Sequence, residues 1–576
     1  MAIGAKVEIW HDGKYQFYEH FLSRGYISSV SPIIHFGIGT SALIDSIKVT
    51  WPQQKTVSSK YDVKISRIIE FDESEAAPAV TTIPSLEQRL FVRRNDSSIY
   101  DHKQSDFIDF YGQQPSLPHK YSQIGPVMAK GDINGDGVED LVIGATNQTP
   151  TTVLLNTRGV FVQEEFEGLT TNKSCPEADI AIVDIDNDGD KDILIVSGGY
   201  ANENSSDYQH YLYKNNSGVF DKIALPIPAF PASVLRPGDF DQDGDIDVFI
   251  GARIRRGMFP IAESSYMLIN ENGDLKTDNK NKFSLGMVTD AVWSDYDNDG
   301  WKDLMITREW NSVVILKNNF GKLSIVENNP LKDKSGLWYS ITAGDFDQDG
   351  DDDYMVGNLG KNHRFTVNEN YPMRLYVLDL DKNGIIDPFM TSYWPDENGK
   401  MTEYPVNYLD ELSSQSSFFR ETFEDYRSFS FASADQILSS LPGEEKSNFF
   451  LINTTSSYLI WNDNGSFDFQ ELTDGLQISP ITKTIVHDFN NDKYPDIIVG
   501  GNDYSYDIST GYYDANKGFV MLSNGAKQDF AILTPSESGL LLQGQIGSLQ
   551  YFEKDSLIIA GFNRDKTSVF QLLEDK

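Results

Sequence analysis

One pattern, D-x-[DN]-x-[DN] with a further Asp at its ninth position, recurs seven times along this chain, and that recurrence limits the folds open to it. The copies begin at Asp132, Asp184, Asp239, Asp295, Asp345, Asp379 and Asp488. The first five starts lie 52, 55, 56 and 50 residues apart, and the next gaps are 34 and 109. A unit of that length is too short for a separate domain and matches one four-stranded propeller blade. Short apolar runs follow the loops, among them LVIGA (141–145), ILIVS (193–197) and VFIGA (248–252). Further runs such as TVLLN (152–156) and YMLIN (266–270) are β-branched or aliphatic and bounded by Gly and Asn, as strands with turns are.

The reading is an all-β chain: a seven- or eight-bladed β-propeller, eight favoured, with a small N-terminal β-domain and a short helical insertion. Seven loops plus a last unit without one (540–573) give the eight. Seven blades result instead if the Asp379 loop shares a blade with the Asp345 loop. RLFVRR (89–94) is placed to close the ring as a strand borrowed from the other end of the array. Residues 400–447 predict one or two helices inside a blade. Residues 1–73 alternate apolar and polar and predict the small β-domain, 74–85 a linker, and 86–576 the propeller.

The loops carry the chemistry. Positions 1, 3 and 5 turn carboxylates or amides inward, position 6 is Gly in six copies, and position 9 supplies a last acid. Such a hard-oxygen set suits Ca²⁺. An EF-hand would need a Glu at position 12 and flanking helices, and neither is present. The expected ligands, at up to seven Ca²⁺ sites, are Asp132, Asn134, Asp136 and Asp140; Asp184, Asp186, Asp188 and Asp192; Asp239, Asp241, Asp243 and Asp247; Asp295, Asp297, Asp299 and Asp303; Asp345, Asp347, Asp349 and Asp353; Asp379, Asp381, Asn383 and Asp387; and Asp488, Asn490, Asp492 and Asp496. The seventh copy has Lys493 where the others have Gly, which implies backbone strain.

A net charge of −38, from 86 acidic and 48 basic residues, argues against nucleic acid or an anionic membrane as partner. The single cysteine, Cys175, excludes an intramolecular disulfide, and no apolar run is long enough to span a membrane.

The repeats, with Gly144-Ala145 and Gly251-Ala252 after the second strand, resemble the FG-GAP/VCBS repeats of integrin α-subunit propellers and bacterial surface proteins. IGAKVEIW (3–10), RGYISSVSPIIHFGIG (24–39) and IDSIKVTWP (44–52) resemble the ASPIC/UnbV domain that accompanies such repeats in the cartilage acidic protein family and its Bacteroidetes relatives. That domain normally begins one strand earlier, so the resemblance implies that the chain is the C-terminal part of a larger parent protein. It also implies an extracellular, cell-surface or periplasmic location, and it leaves function open.

Two functional readings compete. One is a binding or adhesion module for a glycan or protein ligand. The other is a calcium-dependent polysaccharide lyase or hydrolase. No nucleophile elbow, HExxH or phosphate loop is present, which favours binding. The long connections after each second strand are expected on the face opposite the metal loops. They carry Arg253, Arg255, Arg256, Arg308, Trp310, Lys361, Arg364 and Tyr512. The cationic and aromatic members make that face the expected site for an anionic ligand.

Overall fold

The computed structural model describes residues 2–573 apart from 53–55, 79–88, 95–97, 112–113, 170–174, 278, 440, 442–445 and 528–529. Backbone contacts divide the chain into two units, Met1–Pro84 and Ser85–Lys576.

The first unit is a five-stranded antiparallel sheet. Its central strands, Lys6–His11 and Leu43–Thr50, alternate so that Ile9, Ile47 and Val49 face a core completed by Trp51 and Val63. Ala77–Pro78 pairs with Thr56 and Val57 along the edge. The segment expected as a linker from 74 therefore begins inside this sheet, and its remainder, 79–85, lies outside the described residues apart from the unit boundary itself.

The second unit is a β-propeller. Its innermost strands are Met128–Gly131, Glu177–Val183, Ala232–Gly238, Val288–Ser294, Ser340–Gly344, Ile481–His487 and Ile546–Phe552. Each packs against the next, and the last packs against the first. The ring therefore has seven blades, which corrects the favoured count of eight. The second strand of each blade is covered on both faces by neighbouring blades. That is why runs such as Ile193–Val196, Val248–Ile250 and Leu304–Ile306 are continuously apolar and wholly buried.

The eighth sheet is an insertion. Blade 5 passes from Asp353–Gly357 directly to Tyr458–Asp463, and between them the chain builds a separate four-stranded sheet. Its strands are Met373–Leu378, Asp387–Pro395, Met401–Pro405 and Phe449–Ile452. Helices Leu409–Gln415, Ser417–Thr422, Tyr426–Phe431 and Ala434–Leu438 lie within the stretch expected to be helical. Their apolar sides, Leu409, Leu412, Phe419 and Ile437, pack on Tyr376 and Phe389 of the inserted sheet. The ring closes as expected: Phe91–Arg93 pairs with the last strand, Phe91 opposite Leu572 and Arg93 opposite Phe570.

Candidate metal centres and the opposite face

Six of the seven acidic loops join the first and second strands of blades 1 to 6, so they gather at one end of the ring. In each of the six the chain folds the same way. The position-6 amide donates to the position-1 carboxylate, as from Gly189 to Asp184 at 3.0 Å and from Gly300 to Asp295 at 2.8 Å. Position 6 is left-handed, φ +96° at Gly244, where no side chain is strained. In the seventh copy Lys493 adopts the same conformation, φ +78°, and its amide still reaches Asp488 at 2.8 Å.

The ninth-position carboxylates are buried anchors. Asp247 accepts the backbone amides of Phe240 and, in the third strand, Asn270; Asp192, Asp353 and Asp496 repeat the pattern. Burial, assisted by the neighbouring aspartates, pushes Asp247 and Asp353 up to about 7 and Asp192 and Asp496 up to about 6. A bound divalent ion would reverse that cost.

Sequence reasoning missed the residue that receives this anchor. Asn270 Nδ2 donates to its own loop at the Ile246 carbonyl (3.1 Å) and to the preceding blade at the Ile185 carbonyl (2.7 Å). Asn215, Asn318 and Asn462 make the equivalent bonds to Ile133, Phe240 and Tyr296. Ser523 reaches Phe346, and Asn156 reaches Asp555 of blade 7. The loops are thus stapled from blade to blade around the ring. The signal was available: an Asn ending the third strand, three residues before a Gly, in five of the blades.

In five loops, three carboxylates each place an oxygen within 4.8 Å of the others: Asp184, Asp186 and Asp192; Asp239, Asp241 and Asp247; Asp295, Asp297 and Asp299; Asp345, Asp347 and Asp353; Asp379, Asp381 and Asp387. Buried oxygens of Asp186, Asp239, Asp241, Asp303 and Asp345 have no hydrogen-bond partner, as expected of groups shaped for a cation. These residues fit a hard divalent ion. The Asp132 and Asp488 loops do not group three acids in this way among the described residues. There the position-3 amides of Asn134 and Asn490 bond instead to Asp136 (3.1 Å) and Asp492 (2.8 Å). The Asp379 loop corrects the expectation that all seven loops share one face. It belongs to the inserted sheet, and the Ile386 amide donates to Gly257, in the connection after the second strand of blade 3.

Lysines enter some of these clusters. Lys317 contacts Asp297 and Asp299, Lys214 contacts Asp186, and Lys527 contacts Asp347. Burial alone would lower the Lys317 pKa, but its hydrogen bonds to Asp297 and Asp299 carry it above the ordinary lysine value.

The opposite end is closed by residues 114–123, a segment whose role the sequence did not reveal. Gln114 bonds to the Phe259 and Ile386 carbonyls, and Ser122 Oγ accepts from the amides of Tyr200 and Ala201. His119 Nε2 lies 2.9 Å from Glu309, which also receives Arg253 at 2.6 Å and the Tyr121 hydroxyl. Burial opposes charge on Glu309, yet His119 and Arg253 hold its carboxyl down at about 2.

This arrangement removes several residues from the expected ligand surface. Arg253 is committed to Glu309. Arg308 is buried against the Leu285 and Ser312 carbonyls, and desolvation lowers its pKa to about 10. Trp310, 2% exposed, is turned into the core at a register shift with φ +60°. Arg255 pairs with Glu263, Arg256 with Glu203, and Lys361 with Glu471 and Asp474. Of the expected set, Arg364 and Tyr512 come together. They line a cleft of about 290 Å³ between the connections of blades 5 and 6, with Ser509, Thr510, Tyr513 and Asp514. Tyr512 is 68% exposed and stacks on Tyr504 at 4.8 Å. Among the described residues no carboxylate lies within salt-bridge distance of Arg364, whose guanidinium is 3.4 Å from the Ser509 hydroxyl. No described helix is long and apolar enough to cross a membrane.

Residues 1–78 match the family described as ASPIC and UnbV, and residues 132–195, 184–250 and 295–356 match the FG-GAP-like repeat. No curated protein matches the chain. Similar solved structures include BBS1N in complex with ARL6DN (9% identity, 85% of this chain and 99% of that one, TM-score 0.37). Others are the V. cholerae biofilm matrix protein Bap1 (10%, 83% and 92%, 0.33) and the Dos1 propeller (10%, 75% and 75%, 0.35).

Proposed function

From a chain that carries an ASPIC/UnbV region and FG-GAP-like repeats on a β-propeller, we infer a calcium-stapled extracellular or cell-surface binding module. Calcium fills the acidic loops and holds one end of the ring. The ligand binds the other end, in the cleft of Arg364 and Tyr512, and is a carboxylate-bearing glycan. The observation that carries this reading is Arg364, a cation that lines a cleft in a chain of net charge −38, with no carboxylate of the described residues within salt-bridge distance and only a longer-range attraction to Glu411. Beside it stand the hydroxyls of Ser509 and Thr510 and the exposed face of a stacked tyrosine pair. A guanidinium fork recognises a carboxylate, and an aromatic face supports a sugar ring.

A panel of uronic-acid, sialylated and neutral glycans tests it. Acidic members should bind, and Arg364→Ala and Tyr512→Ala should each weaken binding by about tenfold or more, roughly the loss of one charge-assisted contact. Binding that prefers neutral glycans, or survives both substitutions in folded protein, would remove the proposal.

A further inference from the structure

We propose that Lys317 is a built-in counter-ion of the Asp295 loop. It makes that loop the weakest calcium site of the ring loops with clustered carboxylates, and in blades 2 to 4 the residue preceding the inter-blade Asn sets how tightly the loop holds its ion. The inference rests on the calcium reading above and extends it to which loops fill first.

Lys317 Nζ lies 2.5 Å from Asp297, 2.6 Å from Asp299 and 3.6 Å from Asp303. Three carboxylates thus face one nitrogen, where a divalent ion would need their oxygens. The lysine side chain is 15% exposed and runs past the Tyr296 ring, with Nζ 5.3 Å from its centroid. Asp303 is completely buried, and its Oδ2 has no hydrogen bond. In the Asp239 and Asp345 loops the corresponding oxygen accepts the position-2 amide. In this loop it is left to the ammonium.

The same register differs in the other blades. Blade 3 has Ile269, which brings no charge, and Asp239 and Asp241 each keep a buried oxygen without a partner. Blade 2 has Lys214, which reaches Asp186 but not the rest of the cluster, and is 33% exposed. Blade 5 has Trp461, and its lysine comes from blade 6: Lys527, 46% exposed, 3.0 Å from Asp347. A calcium ion entering blade 3 meets bare carboxylates. One entering blade 4 must first displace a largely buried ammonium, and then shares the site's field with that displaced charge.

Terbium(III), a hard ion with the oxygen preference of calcium, reads the blade-4 loop through Trp301 at its seventh position. Terbium emission excited through tryptophan and calcium stoichiometry by equilibrium dialysis are to be measured on wild type, Lys317→Met, Lys317→Met with Trp301→Phe, and Ile269→Lys. Lys317→Met should tighten terbium binding by about tenfold or more, and the added emission should vanish with Trp301→Phe. Ile269→Lys should weaken the blade-3 site by a similar factor. Calcium bound elsewhere, with Lys317→Met unchanged in a protein that keeps its circular dichroism, overturns the inference alone. If Lys317→Met does not fold, Ile269→Lys decides, and unchanged calcium binding there overturns it. No calcium bound by any form overturns both this inference and the calcium reading on which it rests.

Discussion

At one end of the propeller six loops of nearly the same sequence repeat one hydrogen-bond plan, and Asn or Ser links each to the blade before it. At the other end the connections share no sequence, one of them holds a whole inserted sheet, and a single segment, 114–123, ties them together through Glu309, Arg253 and His119. The repeated end is built of many equal parts and, on the calcium reading proposed above, depends on a cation. The irregular end depends on a few unique residues and on burial. A failure at the first should therefore be graded and metal-dependent, and one at the second local and severe.

Removing calcium should have the largest effect. A loop filled at a hundred times its dissociation constant gains about 2.7 kcal/mol, so several loops together should lower the melting temperature sharply in chelator. Hydrogen exchange should rise around the stapled third strands and stay low over 114–123. An unchanged midpoint would break the comparison at the acidic end. Glu309→Ala comes next. It leaves Arg253 and His119 buried without their partner, a loss of about 3–5 kcal/mol in denaturant unfolding, present with or without calcium. A loss seen only in chelator would mean that the two ends are not independent.

Asn270→Ala should cost about 3 kcal/mol, because it strands the Ile185 and Ile246 carbonyls and the Gly273 amide. A cost under about 0.5 kcal/mol, that of an ordinary surface change, would deny the staple its role. The smallest effect concerns His119, whose pKa is raised. Burial works against its charge, and Glu309 more than offsets that. A group with a raised folded pKa contributes stability that is complete below its unfolded value, about 6.5, and is lost as pH rises through the folded value. The stability gap between wild type and His119→Gln should therefore narrow as pH rises above the unfolded value of about 6.5. A gap that widens would reverse the assigned sign.

The parts of this architecture that repeat were legible along the chain, because repetition places identical residues in identical surroundings. The acidic loops, the strained Lys493 and the closing strand at Phe91–Arg93 follow from spacing and residue type. The inter-blade Asn was written just as regularly, and it was overlooked because its partner is a carbonyl of the preceding blade, which has no side-chain signature. The blade count was not legible. The Asp379 loop has the same residue pattern as the ring loops, and only its pairing with strands outside the ring shows that it belongs to an insertion.

The arginines mark the boundary between the two kinds of information. Composition placed Arg253, Arg308 and Arg364 in comparable connections, all cationic in an acidic chain. The fold buries the first against Glu309, folds the second onto backbone carbonyls, and leaves the third facing a cleft. The sequence by itself determined the blades, the oxygen chemistry of the loops and the way the ring closes, since these depend on local spacing and on residues in contact with their own repeat. Only the tertiary structure decided how many blades form the ring, which lysine fills an acidic cluster and which arginine lines a cleft. Those outcomes depend on partners brought together from distant parts of the chain, and on burial that no single segment encodes.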